Sequence, residues 1–399
     1  MSDAQVKVRF APSPTGPLHV GSVRTALLNW LFARANGGTV LLRIDDTDRE
    51  RSTQAWEAEI LAGLQTLGLT WDEGPLHQSS RGELYAAALE RLPTVRRDDA
   101  YEFDGRVIAR SDGSALYHLA TAVDEIEDGI THVLRGRDHL SNTELQSSII
   151  TALGAEPPVY VHAPLLLGDD GSKLSKRASS DSQWTETSVG GLLAAGVPGA
   201  AICNALALSL AEFGGEEVMA TLDQMAANFD LARLHTADSQ FDPDKLKWLS
   251  GQHIRLLSAD QFAAALKPFT DGSDLPPLVL EAAQTAAPTL SGCAEAAAAL
   301  LAPPEADAIA RQMLEEPAAS AILALAGKVL GDMPTGDLEL AKQRFAELKA
   351  EFKANDVAIG KGLRTLRAAL SGRTDGPELP YVLALSSPAR LRSLCAEDD

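Results

Sequence analysis

Two short stretches of the chain combine residue types that are suited to holding a nucleotide phosphate. In the first, His19 and Gly21 stand where an apolar strand pattern gives way to a helix pattern. A histidine ring can donate to phosphate oxygens, and the first amides of a helix attract anions. In the second, KLSKR at 173–177, two lysines flank a serine in a glycine-punctuated loop. Such lysines could neutralise the charge that builds on a triphosphate as its α–β bond breaks. Taken alone, each stretch also fits an ordinary helix cap or surface loop.

The elements around the first stretch predict half of a dinucleotide-binding type of fold. Apolar residues alternate over 6–10, as in a strand, and the proline- and glycine-rich residues 12–17 form a loop. Beyond the loop, apolar residues spaced three and four apart predict a helix that ends at Gly37, and residues 39–44 read as a buried strand. Folds with this strand–loop–helix–strand order hold phosphate at the helix N-terminus.

A second β-α-β series follows residues 93–105, which we interpret as a short polar connector. Strand patterns cover 130–135 and 158–162, and the helix pattern between them ends near Gly154. Together the two series predict an α/β fold in which one parallel sheet forms a Rossmann-type catalytic domain. From 255 to 399 the chain is rich in Ala and Leu at helical spacing, so an all-α C-terminal region is expected.

The composition restricts the partners and the compartment. A net charge of −20 repels a polyanion, so a nucleic-acid surface must be a local basic patch. Residues 342–373, with eight basic and three acidic side chains, are a candidate, although they could equally be a solvated helix face. No apolar run reaches 18 residues and the N-terminus has no signal core, so neither a membrane span nor export is predicted. Three scattered cysteines fit a reducing cytoplasm.

Several common site patterns do not occur in the sequence. The chain has no GxxxxGK[ST] and no GxGxxG, so P-loop and nicotinamide-binding sites lack their glycines. It also has no HExxH, CxxC or GxSxG, and its eight histidines are scattered. Neither a histidine- or cysteine-based metal site nor a hydrolase nucleophile is therefore supported. The phosphate hypothesis depends on residues 19–22 and 173–177 occurring together.

The motifs in their order resemble the class I aminoacyl-tRNA synthetases, with HVGS (19–22) as the HIGH-type motif and KLSKR as the KMSKS-type motif. More narrowly, the chain is similar to the glutamyl-tRNA synthetases. The similarity rests on RFAPSPTGPLHVG, LLRIDDTDRERS, WDEGPLHQS, DGITHVLRGRDHLSNT, KLSKR and FDPDKLKWL, in that order. It also rests on GKGLRTLRAALSGRTDGPEL (360–379), which is similar to the family's C-terminal anticodon-binding signature.

The resemblance implies roles for particular residues. The catalytic side chains would be His19, Lys173 and Lys176. ATP would be bound by Ser13, His19, Gly21, Ser22, Lys173, Ser175, Lys176 and Arg177. Glutamate would be bound by Arg9, Ala11, Ser13, Asp45, Tyr117 and Arg135. Guanidinium groups suit its two carboxylates, and an acidic side chain suits its ammonium group. The tRNA would be contacted by Lys361, Arg364 and Arg367.

The implied reaction needs no covalent enzyme group. The α-carboxylate of L-glutamate would attack the α-phosphorus of ATP in line, with Mg²⁺ assisting, to give glutamyl-adenylate and pyrophosphate. A ribose hydroxyl at the 3′ end of tRNA(Glu) would then take the glutamyl group. Catalysis would consist of positioning and charge neutralisation. The resemblance further implies a cytoplasmic monomer, and no zinc is expected.

The resemblance also implies the order of the domains. A class I catalytic domain would cover 1–92 and 106–180, a helical stem-contact domain 181–254, and an anticodon-binding domain 255–399. In the family, a long insertion that packs on the tRNA acceptor end, often with a Cys-rich zinc site, stands where this chain has only 93–105. How the acceptor end is held is therefore an open question.

Two smaller departures concern the site itself. Asp45 stands where the family usually has Glu, and Ala178 stands where it usually has His after the KMSKS-type motif. Both could lower rates, but neither removes the site.

The missing insertion motivates one alternative function, a glutamate-activating paralog that modifies another acceptor, such as a modified tRNA base or a carrier. A second alternative, from a different class, is a catalytically silent paralog that binds tRNA. The C-terminal region speaks against the first, and the intact motifs speak against the second. The sequence does not decide whether tRNA(Gln) is also charged.

Overall fold

We describe the chain from a computed structural model. The residues that the structure describes are 5–48, 50–97, 100–168, 171, 187–302 and 305–394. Contacts divide the chain into two compact units, of which the first contains Met1–Ala194 and Gly199–Leu249. The second contains Ala195–Pro198 and Ser250–Asp399. The domain boundaries given above from the sequence stay predictions.

The first unit mixes strands and helices. In chain order, its elements are β1 (Lys7–Phe10), α1 (Val20–Ala35), β2 (Thr39–Ile44), α2 (Gln54–Thr66), β3 (Glu73–His77), α3 (Gly82–Arg91), β4 (Val95–Arg97), β5 (Ala100–Phe103), β6 (Arg106–Arg110), α4 (Tyr117–Glu127), β7 (His132–Gly136), α5 (Leu140–Ala152), β8 (Val159–Ala163), β9 (Leu166–Leu167), α6 (Val189–Ala194), α7 (Gly199–Leu210), α8 (Leu222–Ala227), β10 (Ser239–Gln240) and α9 (Pro243–Leu256), which runs on into the second unit.

Parallel strands form the centre of the first unit. β1, β2 and β3 make one parallel group in that order, and β7 pairs in parallel with β8. The two groups meet where the Thr131 amide donates to the Lys7 carbonyl at 3.0 Å. The predicted α/β class with a parallel sheet is therefore confirmed. The carboxyl ends of β1, β2 and β7 bring distant parts of the sequence together.

Helix α1 is fixed against this sheet because it is buried on most sides. Its residues Val23, Leu27 and Leu31 are fully buried, as the helical spacing predicts. His19 is the N-cap residue of the helix and has an extended backbone. Its side-chain Nδ1 accepts a hydrogen bond from the Ser22 amide at 3.3 Å. At the other end Gly37 adopts the left-handed φ of 61° that glycine favours.

Strand β3 is an element that the sequence pattern did not predict. Its sequence EGPLH contains Gly74 and Pro75 and lacks the β-branched residues typical of strands. It can nevertheless pair with β2 because it lies at the edge of its group, where proline is tolerated. β3 ends next to Gln78 and thus adds one more loop to the carboxyl edge of the sheet.

The described residues of the connector predicted at 93–105 include strands that its polar sequence did not indicate. Strands β4, β5 and β6 form an antiparallel sheet in that order. Asp104 and Gly105 have positive φ values of 55° and 73°, as in a two-residue hairpin turn. Phe103 and Ile108 pack into the same core as α3, α4 and α5. Buried aromatic and aliphatic side chains thus stabilise this small sheet.

The second unit confirms the predicted all-α C-terminal region, since each regular element described beyond α9 is helical. These helices are α10 (Ala259–Leu266), α11 (Pro277–Gln284), α12 (Leu290–Leu301), α13 (Ala308–Leu314), α14 (Ala319–Leu330), α15 (Leu338–Ala354), α16 (Ile359–Ser371), α17 (Leu379–Leu385) and α18 (Pro388–Ser393). Phe262 and Phe352 are fully buried in two apolar cores. In the described ranges, no helix is both long and apolar enough to cross a membrane.

Candidate active site

A cavity of about 580 Å³ lies at the carboxyl ends of β1, β2 and β7 and at the start of α1. The residues predicted to bind ATP or glutamate converge on it wherever the structure describes them. They are Arg9, Ala11, Ser13, His19, Gly21, Ser22, Asp45, Tyr117 and Arg135. The remaining predicted residues, Lys173, Ser175, Lys176 and Arg177, lie outside the described residues.

The described chain on each side of KLSKR lies at or near this cavity. On the N-terminal side, Leu165 and Leu166 line the cavity wall. On the C-terminal side, the Thr187 carbonyl accepts a hydrogen bond from the Val20 amide at 2.9 Å, next to the α1 start. Both described flanks of KLSKR therefore lie close to residues that line the cavity.

The start of α1 leaves little space for a side chain at position 21. A Cβ atom at Gly21 would lie 3.1 Å from both Cε1 and Nδ1 of His19, which is closer than ordinary van der Waals contact. A glycine at a helix start lets a flat ligand base approach the backbone, and here it also leaves room for the imidazole ring of His19. Since Nδ1 accepts from the Ser22 amide, a neutral His19 carries its proton on Nε2.

Arg135 supplies positive charge to the cavity without an acidic partner among the described residues. Its Nη1 donates to Gln146 Oε1 at 2.7 Å and its Nη2 to Thr143 Oγ1 at 2.8 Å, and both partners are neutral. The Tyr160 ring lies 5.1 Å from the guanidinium carbon. Burial lowers the pKa of Arg135, but an arginine remains charged in any case. A carboxylate in the cavity would therefore meet an oriented, unneutralised guanidinium group.

The other side of the cavity is backed by a dense ion cluster. Arg43 is fully buried, and its Nε donates to Asp45 Oδ1 at 2.8 Å. Arg9 donates through Nε to Glu125 Oε1, also at 2.8 Å. Asp124 accepts hydrogen bonds within 3.1 Å from three groups on other segments: Gln78, Arg81 and Tyr85. This cluster connects β1, β2 and α4 behind the cavity and fixes the side chains that face it.

Asp45 has an unusual protonation behaviour as a result of this setting. Burial raises its pKa to about 6, although the neighbouring Arg43 pulls the pKa in the opposite direction. The ion pair at 2.8 Å therefore only partly offsets the loss of water around the carboxylate. Near neutral pH, Asp45 is mostly an anion, which suits the binding of an ammonium group, and it becomes neutral under mildly acidic conditions.

Several residues that line the cavity were not identified from the sequence. Two of them follow predicted residues by about one helical turn, and this spacing was the available signal: Thr121 comes four residues after Tyr117, and Arg24 comes three residues after Gly21. The Thr121 hydroxyl is buried without a hydrogen-bond partner among the described residues. Three more come directly after Arg135, in a stretch that the resemblance quoted without assigning roles: Gly136, Asp138 and His139.

Three hydrogen bonds hold the Arg24 guanidinium in the lining of the cavity. Its guanidinium donates to the Pro164 carbonyl and to both the hydroxyl and the carbonyl of Ser209 on α7. Burial lowers its pKa to about 10, so it stays charged at neutral pH.

Among the described residues, no group of three or more His, Cys, Asp or Glu side chains is placed to hold a metal ion.

The three residues predicted to contact tRNA lie on α16 in the second unit. Arg364 is exposed, and Lys361 is exposed but pairs with Glu316 at 2.7 Å. Arg367 is partly buried, and its Nη1 donates to the Pro377 carbonyl. Of the three, Arg364 therefore offers the most accessible positive charge, whereas Arg367 serves the packing of its own unit.

Comparisons with known proteins agree with this arrangement. The family described as tRNA synthetases class I (E and Q), catalytic domain, matches residues 5–104 and 97–248, and the anticodon binding domain family matches 261–393. The chain is 37% identical to glutamate–tRNA ligase 1 of Rubrobacter xylanophilus over 421 aligned positions, which cover 96% of this chain and 95% of that protein. It is 34% identical to glutamate–tRNA ligase 1 of Alkalilimnicola ehrlichii, with 99% and 98% covered.

Solved structures show the same fold. A glutamate tRNA ligase from Elizabethkingia meningosepticum, crystallised in complex with its amino acid, superposes with a TM-score of 0.78 at 24% identity, and 98% of each chain is covered. The glutamate-tRNA synthetase of Elizabethkingia anophelis superposes with a TM-score of 0.76 at 24% identity, covering 98% of this chain and all of that one. By its two domain families and its relatives above 30% identity, the chain belongs to the class I tRNA synthetases, in the glutamate–tRNA ligase family.

Proposed function

We propose that this protein activates L-glutamate with ATP and transfers the glutamyl group to the 3′ end of tRNA(Glu). The observation that carries the proposal is the convergence of Arg135, Asp45 and the α1 start on one cavity, in a chain of the glutamate–tRNA ligase family. The cavity offers cations for two carboxylates, an anion for an ammonium group, and a helix N-terminus for phosphate.

Glutamate fits the cavity through its charges. Its side-chain carboxylate would meet Arg135, whose guanidinium bonds only neutral described groups, and Arg9 would contribute a second cation. Its ammonium group would meet Asp45, with Tyr117 and Ser13 lining the same wall. A neutral amino acid would leave the Arg135 charge buried and unpaired, and this cost favours glutamate over glutamine.

The reaction follows from holding the two substrates in line. His19 and the first amides of α1 would bind the ATP phosphates, and Lys173 and Lys176 would neutralise the charge that develops on the leaving pyrophosphate. The α-carboxylate oxygen forms a bond to the α-phosphorus while the bond to pyrophosphate breaks. Mg²⁺, bound with ATP, would add further charge neutralisation. In the second step, the ribose hydroxyl forms the ester and AMP leaves.

Transfer to tRNA(Glu) is favoured over the two alternatives by the second unit. A protein that modifies a carrier has no use for an anticodon-binding region, whereas residues 261–393 match that family. A silent paralog has no need to keep Arg135 and Asp45 around the cavity. A monomeric state, a cytoplasmic location and the charging of tRNA(Gln) stay predictions that need their own measurements.

The proposal is tested by glutamate-dependent ATP–pyrophosphate exchange and by charging. Exchange is measured with each amino acid, with and without tRNA(Glu) transcript, and labelled glutamate is then offered with tRNA(Glu) or tRNA(Gln). We expect exchange with glutamate alone among the amino acids, and labelling of tRNA(Glu). Absence of glutamate-dependent exchange in the presence of tRNA would exclude the proposed function, and exchange without labelling of any tRNA would favour another acceptor.

Asp45 gives a prediction about pH. With a pKa of about 6 in the free enzyme, the carboxylate is lost as pH falls from 7 to 5, and kcat/KM for glutamate is expected to drop about tenfold. The direction follows because only the anion attracts the substrate ammonium group. The measurement is pyrophosphate exchange at subsaturating glutamate across this range. The Asp45→Asn variant is the control: its lower kcat/KM should be flat over the same range, and an equally steep profile would assign the titration to another group.

Arg364 gives a prediction about tRNA. Removing its exposed charge by Arg364→Ala should raise KM for tRNA(Glu) about fivefold and reduce the salt dependence of binding by about one counterion. KM for glutamate should not change. The matched control is Arg367→Ala, because Arg367 is partly buried and bonded to the Pro377 carbonyl; it should lower thermal stability instead. An Arg364→Ala enzyme with wild-type tRNA binding would remove this residue from the RNA surface.

A further inference from the structure

We propose that Glu125 is a positioning residue, which sets the orientation of the Arg9 guanidinium towards the substrate cavity. The inference rests on the proposed function, because it takes Arg9 as a contact for a substrate carboxylate. Glu125 itself is not among the residues that line the cavity. It lies behind Arg9, on α4, and its side chain is only 1% exposed.

The geometry of the Arg9–Glu125 pair supports this role. Glu125 Oε1 accepts a single hydrogen bond from Arg9, through Nε at 2.8 Å. The two Nη groups of Arg9 form no hydrogen bond with the described residues, and Arg9 lines the cavity. A guanidinium bound through Nε alone keeps both Nη groups for a second partner. The pair thus fixes the plane of the guanidinium and leaves its paired donors for a carboxylate.

Glu125 is in turn held by the buried ion cluster. Its Oε1 lies 3.7 Å from Nη2 of Arg43, the same arginine whose Nε bonds Asp45. Arg43 is fully buried, and its ion pairs with several carboxylates restrain its position. One buried cation consequently orients both sides of the site: Asp45 directly, and Arg9 through Glu125. The distance between the proposed carboxylate and ammonium contacts is set by this shared connection.

The Glu125 carboxylate has an unpaired buried oxygen, which a residue with only a structural role would not need. Its Oε2 is buried and has no hydrogen-bond partner among the described residues. A buried carboxylate with an unused oxygen is unfavourable, and such violations are expected mainly at functional sites. By contrast, both carboxylate oxygens of Asp124, the preceding residue, accept hydrogen bonds, which come from Gln78, Arg81 and Tyr85. The contrast assigns stability to Asp124 and orientation to Glu125.

The test uses two substitutions that separate geometry from charge. Glu125→Asp keeps the charge but is one methylene too short to hold Arg9 in place, and Glu125→Gln keeps the length and an acceptor oxygen without the charge. We expect Glu125→Asp to raise KM for glutamate about tenfold, and Glu125→Gln to stay within about threefold of wild type. KM for ATP should not change in either variant. The assay is pyrophosphate exchange with the full chain and tRNA(Glu).

The control is Glu127→Asp, because Glu127 lies on the same helix and is exposed; its KM values should equal those of wild type. Thermal unfolding checks that each variant is folded, and if Glu125→Gln does not fold, Glu125→Asp decides alone. A folded Glu125→Asp enzyme with unchanged KM for glutamate overturns the inference, as does an equal rise in both KM values. If the wild-type enzyme shows no glutamate-dependent exchange, the proposed function fails instead.

Discussion

Replacing Arg135 with glutamine is expected to lower kcat/KM for glutamate by about 10³-fold. Arg135 is 4% exposed, and its described hydrogen-bond partners are side chains without negative charge: Gln146, Thr143 and, at 3.5 Å, His162. The substrate carboxylate would then enter a buried site without its strongest cation. Leaving one member of a buried charge pair unpaired costs about 3–5 kcal/mol, which corresponds to a rate loss of about 10²–10⁴. Pyrophosphate exchange at low glutamate measures the effect.

Arg135→Lys is the matched control for this experiment. Lysine keeps the positive charge but loses the planar fork that bonds Gln146 and Thr143, so a smaller loss of about tenfold is expected. KM for ATP should stay at its wild-type value in both variants. A loss of less than about threefold in Arg135→Gln would mean that the carboxylate binds elsewhere in the cavity.

Replacing His19 with alanine is expected to lower kcat by about 10²-fold or more with a much smaller change in KM for glutamate. The imidazole lies at the start of α1, on the cavity wall, where the phosphates would bind. A preorganised donor that meets charge in the transition state contributes about this much. The rate is measured by single-turnover formation of the adenylate, which separates chemistry from product release.

The difficulty with His19 is that it also caps the helix. Its Nδ1 accepts from the Ser22 amide at 3.3 Å, so alanine removes a cap as well as a donor. His19→Asn separates the two effects because asparagine is a good N-cap residue. We expect His19→Asn to unfold at the wild-type temperature and still to lose activity. An active His19→Asn enzyme would make the histidine a structural cap only.

The sequence was most informative where function depends on short stretches at strand ends. Arg9 and Arg135 lie near the carboxyl ends of β1 and β7, Asp45 directly follows β2, and His19 precedes α1. The patterns predicted these strands and this helix, and the family resemblance implied the roles of the four residues. Parallel strands bring their carboxyl ends together, so residues far apart in sequence converge without further information. That geometric rule, together with the family resemblance, led us to expect the candidate residues at one place, and those that the structure describes do line one cavity; their roles stay predictions.

The sequence could not predict which buried side chains hold those residues in place. Glu125 and Arg43 matter because of a contact that forms across more than eighty positions of chain, and helical spacing gives no sign of a partner at that distance. The burial of Asp45 could not be predicted either, because no local sequence pattern distinguishes this aspartate, with its raised pKa, from an exposed one. The hairpin at Asp104 and Gly105 was different, since an Asp-Gly pair is a known turn signal that the polar composition of the connector obscured.

The hairpin at Asp104 and Gly105 is also a place where a longer segment could be inserted into the chain. The turn at Asp104 and Gly105 joins two paired strands, whose ends lie about 5 Å apart, and a Cβ added at Gly105 would meet no other atom within 4 Å. A whole folded module can be spliced into an exposed turn of this kind, because its two termini need only be adjacent and loop closure costs little more for a longer chain. None of the residues of β5, β6 or their turn lines the cavity, so this turn is a suitable insertion point for engineering new RNA contacts into the protein.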